Sequence, residues 1–194
     1  MKFCQLAHTT INSMKVLIPV PQFQYIFNWT VVDSSGFIKM LHQLIAIDEI
    51  EIILKFHPRH GRIEHYSGIV DLSKFNVQNK DNFMEVLEEA DIVVAFESSS
   101  VLVDSILGCK PLIYVKDFME QFNDEYVYKE LISNFSSVDM LGLAETLSRL
   151  KKKEIQLDDF LPKLKLDDVL YNKGEAAANS LVKEISKILD RHNT

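Results

Sequence analysis

Cysteine is nearly absent: Cys4 and Cys109 are the two in 194 residues, and neither belongs to a CxxC pair or to a His-Cys spacing. Neither a disulfide framework nor a zinc site is suggested, so a reducing cytoplasm is the expected setting. Positive charge is also scarce, with 21 Lys and Arg against 28 Asp and Glu and a formal net charge of -7. That argues against a nucleic-acid surface, because neutralising phosphates needs a broad basic face. No apolar run approaches the ~18 residues of a membrane span, and the N-terminus lacks the charged, apolar and small-residue zones of a secretory signal. The glycosylation patterns at Asn28 and Asn134 then read as chance matches. Internal repeats and low-complexity linkers are missing as well. One domain over 15–194, preceded by an extension or linker remnant over 1–14, is the expected organisation.

What the chain does have is apolar residues, 47% of its length, in alternating strand and helix patterns. "KVLIPVP", 15–21, is a β-branched run bounded by prolines and reads as a buried strand. Asp33 or Ser34 can cap a helix in which Phe37, Met40, Leu41, Leu44 and Ile45 fall at helical spacing. "IEIILKF", 50–56, is a second strand, stopped by His57-Pro58. "GIVDLSKF", 68–75, reads as a weaker strand, "DNFMEVLEEA", 81–90, as a helix capped by Asp81, and "DIVVAF", 91–96, as a third strong strand. "SSSVLVDSIL", 98–107, starts a helix at its serines, and "PLIYV", 111–115, is the next strand. Strands apolar along their length, alternating with helices, predict a Rossmann-like, doubly wound parallel sheet covered on both faces over 15–116. The remainder reads as helical, "SSVDMLGLAETLSRLKKK" and "KGEAAANSLVKEISKILDRH" being its clearest helices.

Residues 55–65 break the acidic pattern: Lys55, Arg59 and Arg62 stand against a single carboxylate, Glu64, among three histidines. In an open parallel sheet, ligands bind at the carboxyl ends of the strands. His57-Pro58-Arg59 leaves one such end, and Glu97-Ser98-Ser99-Ser100 leaves another and opens a helix. A helix N-terminus stabilises an anion by roughly 0.3 to 1 kcal/mol, and a charged hydrogen bond from Arg59 or a serine hydroxyl adds roughly 1.5 to 3 kcal/mol. Ser100 and Asp104 are four apart and share a helix face, which places a carboxylate within reach of the two hydroxyls of a ribose. Each piece also has a plainer reading. Serines cap helices, a histidine before proline is commonly a solvated loop residue, and Asp104 alone is a helix surface residue.

"LKFHPR" after a strand, followed by "ADIVVAFESSSVLVDSILGCKPLIYV", resembles the C-terminal, donor-binding half of GT-B glycosyltransferases. The resemblance is to capsule and cell-wall polymer transferases, including CDP-glycerol glycerophosphotransferases, polysialyltransferases and Kdo transferases, with their His-Pro and Ser-Ser motifs. It covers about 15–116, and "LYNKGEAAANSLVKEI" resembles the closing helix of the same half. It implies that His57 and Pro58 lie beside the donor nucleotide and its phosphate, and that Ser98, Ser99 or Ser100 hold the phosphates. Asp104 stands where many relatives carry a ribose-binding glutamate, seven positions before Pro111, and Glu85 is a second candidate ribose carboxylate. "GCKP" departs from the more usual Gly-Lys-Pro, displacing the glycine by one position.

The resemblance further implies an inverting or retaining transfer without an obligatory metal, with a nucleotide-sugar donor, CMP- or CDP-linked, as substrate. Protein cations and the helix dipole would neutralise the leaving phosphate, in line with the lack of a DxD-like motif. His57 is suited to hydrogen-bond or protonate that phosphate. Such enzymes carry the acceptor, and usually the catalytic base, on an N-terminal half. The expectation is therefore a fragment, or a subunit whose partner supplies that half, inactive alone and reaching the inner face of the membrane only through a partner or a lipid-linked acceptor. The alternatives are a hydrolysing sugar-nucleotide 2-epimerase domain and a non-catalytic interaction module of the same fold.

Overall fold

The computed structural model describes residues 13–20, 35–56, 70–78, 82–96, 100–116 and 132–163. The chain divides into two units, Met1–Pro162 and Lys163–Thr194, and every element below belongs to the first. In order these are β1 (Met14–Pro19), α1 (Ser35–Leu44), β2 (Ile50–Lys55), β3 (Asn76–Gln78), α2 (Phe83–Glu89), β4 (Ile92–Ala95), α3 (Ser100–Leu107), β5 (Leu112–Val115), β6 (Ser136–Val138) and α4 (Gly142–Lys151). Short 3-10 turns occupy Leu72–Lys74 and Leu157–Phe160. The six strands form one sheet in the order β3-β2-β1-β4-β5-β6, every pairing parallel. This is the doubly wound Rossmann order, and it reverses direction between β1 and β4.

The central strands are apolar on both faces because both are covered. Val16, Ile18, Ile52, Leu54, Ile92, Val94, Ile113 and Val115 form one core with Phe37, Met40, Leu41 and Leu44 of α1 and Leu143, Leu147 and Leu150 of α4. The intervening Leu17, Ile53, Val93 and Leu112 are equally buried, and successive strand residues point to opposite sides. They therefore line the other face, where α2 meets β1 and α3 meets β4 and where Val86, Leu87, Leu102 and Ile106 are buried. The handedness of the crossovers accounts for the division. The chain runs outwards from β1 to β2 in one direction and from β4 to β5 in the other, so right-handed connections put α1 and α3 on opposite faces.

The expected fold class holds, and the differences lie at the edges of the sheet. Of the weak strand read over 68–75, the described residues 70–75 hold a 3-10 turn at Leu72–Lys74 instead, with Asp71 accepting from the Ser73 amide and hydroxyl, and the strand comes afterwards as β3. The stretch 136–153, read as one helix, begins with β6 and becomes helical only at Gly142. Three-residue edge strands with polar composition carry too little alternation to be recognised. Asn82 caps α2, its Oδ1 accepting from the Met84 amide at 3.1 Å, while Asp81 lies outside the described residues. The helices read beyond 163 also lie outside them.

The turn after α3 explains the displaced glycine of "GCKP". The amide of Cys109 bonds back to Ile106 and that of Lys110 to Ser105, a Schellman ending whose left-handed residue is Cys109, at φ 48. Gly108 serves close approach instead, since a Cβ there would lie 3.1 Å from Leu87 of α2. Cys109 is disulfide-bonded, contrary to the expectation of reduced thiols. The other cysteine, Cys4, lies outside the described residues.

Lys110 then reaches across to α2, donating to the carbonyls of Glu88 at 2.9 Å and Ala90 at 2.7 Å. Burial draws its pKa below the usual lysine value, against the pull of Asp91 and Glu88. The ammonium supplies the partners that the last carbonyls of a helix lack. Lys110→Ala should therefore destabilise the domain by about 1 to 3 kcal/mol, read as a lower midpoint in urea unfolding.

Candidate functional site

All six strands are parallel, so their carboxyl ends share one edge of the sheet. Pro19 of β1 is in register with Lys55 of β2, and the β1–β4 register, Val16 with Ile92 and Leu17 with Val93, sets Ala95 level with Pro19. Neighbouring strands lie about 4.8 Å apart, so the ends of β2 and β4 are separated by about 10 Å with β1 between them. From the first end the chain continues through Phe56 to His57, and from the second through Phe96 to Ser98. Both stretches singled out in the sequence thus depart from strands flanking β1, at the point where strand order reverses. His57, Pro58, Arg59, Ser98 and Ser99 themselves lie outside the described residues.

Ser100 and Asp104 are described, and both sit on α3. Ser100 opens the helix and is exposed, and Asp104, one turn on, is partly buried. Burial raises the Asp104 pKa above the ordinary carboxylate value, so the folded chain holds this carboxylate at a cost. Glu85 lies in the first turn of α2, exposed, and accepts from Asn82 Nδ2 at 3.0 Å. Its carboxylate supports the start of its own helix, a local role that accounts for it without a ligand. α2 follows β3 and α3 follows β4, so both helices begin at the carboxyl edge. Asp104 and Glu85 share that edge, and Asp104 alone of the two has no capping role.

Lys55 was counted among the cations of 55–65 but not picked out as a site residue. It ends β2 at the same edge and is 5% exposed, its Nζ donating to the Phe56 carbonyl at 2.8 Å. The signal was present: in "IEIILKF" Lys55 occupies the alternate position to Ile53, which faces the covered side of the sheet. Among the described residues no group of three or more His, Cys, Asp or Glu side chains could hold a metal ion, and the histidines of 57–65 lie outside that set. No described helix is long and apolar enough to cross a membrane.

The class that the fold defines is the Rossmann-type α/β domain with its switch point at β1 and β4. No protein-family model and no curated protein matches the chain. Among solved structures it is similar to S. aureus MnaA in a co-structure with UDP, at TM-score 0.53 and 9% identity over 84% of this chain and 46% of that one. It is also similar to a putative MAR1 ribonuclease from Leishmania major, at TM-score 0.50 and 18% identity over 79% of this chain and 95% of that one. The wall teichoic acid polymerase TagF aligns at TM-score 0.43 and 15% identity over 90% of this chain and 45% of its own. The chain therefore spans just under half the length of MnaA and TagF, and at 9% and 18% identity the likeness to MnaA and to the putative ribonuclease is one of fold.

The raised Asp104 pKa has a consequence for stability. Between the unfolded value, near 3.8, and the higher folded value, the native chain binds more protons than the unfolded one, so stability falls as pH rises through that window. Asp104→Asn should be at least as stable as the parent at neutral pH, and the difference should close below pH ~4. Urea titrations across that range check it.

Proposed function

We propose that this chain is the donor-binding half of a GT-B-type glycosyltransferase, taking a nucleotide-sugar or CDP-alditol and acting in surface polysaccharide synthesis with the acceptor half on another domain or subunit. The observation that carries this reading is the placement of α3. It opens at the switch point with Ser100 at its start and carries, one turn down, a carboxylate that burial disfavours and that takes no part in capping. The N–H groups at the head of α3 and serine hydroxyls suit a phosphate. Asp104 suits the two hydroxyls of a ribose, which would restore the hydrogen bonds that its burial removes. His57 and Arg59, following β2 about 10 Å away, would approach the same phosphates from across β1. His57 would act as the hydrogen-bond donor or acid at the leaving phosphate. The likeness of fold to MnaA, which is solved with UDP and is about twice as long, supports a nucleotide ligand and a second half.

The test is calorimetric titration with CMP, CDP, UDP and GDP, without metal and then with magnesium. Selective binding of one base, independent of magnesium, is expected. Ser100→Ala should weaken it by about tenfold, while Lys152→Ala, at the far end of α4, should not. Ribose hydroxyls favour the ionised form of Asp104, so binding should tighten as pH rises through that group's window and lose this dependence in Asp104→Asn. Failure of all four nucleotides to bind would overturn the reading and leave a module that keeps the fold without the ligand.

A further inference from the structure

The candidate site lies at the carboxyl end of the seam between β1 and β4, whose ladder register covers only Val16 with Ile92 and Leu17 with Val93. The helix that carries Ser100 and Asp104, α3, packs on one side of that seam, against β4, whereas α2 packs on the other, against β1. The turn after α3 joins the two helices across it. A Cβ at Gly108 would lie 3.1 Å from Leu87 of α2, so the two come closer there than a side chain comfortably allows. Two residues on, Lys110 Nζ donates to the Glu88 carbonyl at 2.9 Å and to the Ala90 carbonyl at 2.7 Å. Both acceptors end the neighbouring helix rather than the one that Lys110 follows, so the ammonium is a tie between helices and not a cap on its own.

We propose that Lys110 is a positioning residue for the nucleotide site: its ammonium ties the end of α3 to the end of α2 across the seam and so sets where the head of α3 stands at the carboxyl edge. α2 has seven residues and α3 eight, about two turns each and roughly 10 to 12 Å long. Rods this short carry a displacement at the tail through to the head. With the tie in place Ser100 and Asp104 are oriented before the ligand arrives, which spares the ligand the entropy of ordering them. The inference rests on the donor-binding reading, and one of its measurements does not need a ligand.

Lys110→Met and Lys110→Arg are compared with the parent by two-dimensional amide NMR and by titration with CDP and UDP, at a temperature where all three are folded. Loss of the tie should move the Ser100 amide resonance, two turns away, in Lys110→Met while leaving those of α4, on the opposite face, in place. The affinity for the preferred nucleotide should drop about tenfold, the equivalent of one charge-assisted hydrogen bond. Lys110→Arg, which keeps a charged donor, should return both towards the parent. Gly108→Ala keeps the ammonium but wedges the same two helices apart, and should move the same resonance and weaken binding; it also makes the comparison if Lys110→Met does not fold. A Ser100 resonance unmoved in both variants, or an unchanged affinity in a chain that binds nucleotide, overturns the proposal. So does a loss that arginine does not restore, which would assign the effect to packing rather than to the two bonds. A moved resonance rescued by arginine in a chain that binds no nucleotide would leave the tie standing and remove the donor-binding reading instead.

Discussion

The seam between β1 and β4 is the constraint on which the rest depends. It joins the half of the sheet built outwards through β2 and β3 to the half built through β5 and β6, and its ladder register covers only Val16 with Ile92 and Leu17 with Val93. Asp91 reinforces it at the amino end: its amide donates to the Lys15 carbonyl at 2.9 Å, and its Oδ2 accepts the Lys15 amide at 2.8 Å. A side chain thus completes the pairing where the strand begins. Because the connections on either side of the seam run in opposite directions, its carboxyl end is the topological switch point of the sheet. The position of the candidate site follows from this pairing, independently of what the loops contain.

The helices that carry the candidate residues are set from their far ends. Lys110 binds the last carbonyls of α2, and Gly108 lets the end of α3 approach Leu87. One turn after α3 therefore fixes two helices against each other on the same face of the sheet. Since their C-termini are held at the amino edge, their N-termini, with Glu85 on one and Ser100 on the other, present a defined spacing at the carboxyl edge. Ser105, fully buried on α3 with no partner for its hydroxyl among the described residues, adds nothing to that arrangement. A polar atom left unmatched in the core weakens the packing that α3 depends on.

The doubly wound sheet was legible because β1, β2, β4 and β5 are apolar along their lengths, and strands covered on both faces have to be. β3 and β6 were not, since "NVQ" and "SSV" owe their strand character to pairing with β2 and β5 rather than to their own residues. The cap of α2 was misplaced by one residue because Asp81 and Asn82 are both good caps. Of the candidate site, the placement of Ser100 and Asp104 on one helix was readable from their spacing. The local use of Glu85 was not, because its partner Asn82 is defined by where the helix starts. Lys55 was counted with the cations of 55–65 set to face a phosphate, whereas its strand position takes it inside.

Lys55 and Asp104 together say more than either alone. Burying a cation at the end of β2 and partly desolvating a carboxylate on α3 both cost free energy. Both groups lie at the carboxyl edge, on either side of β1, and carry opposite charge. Departures from local rules that share one location are where a protein departs from its stability optimum for the sake of a site.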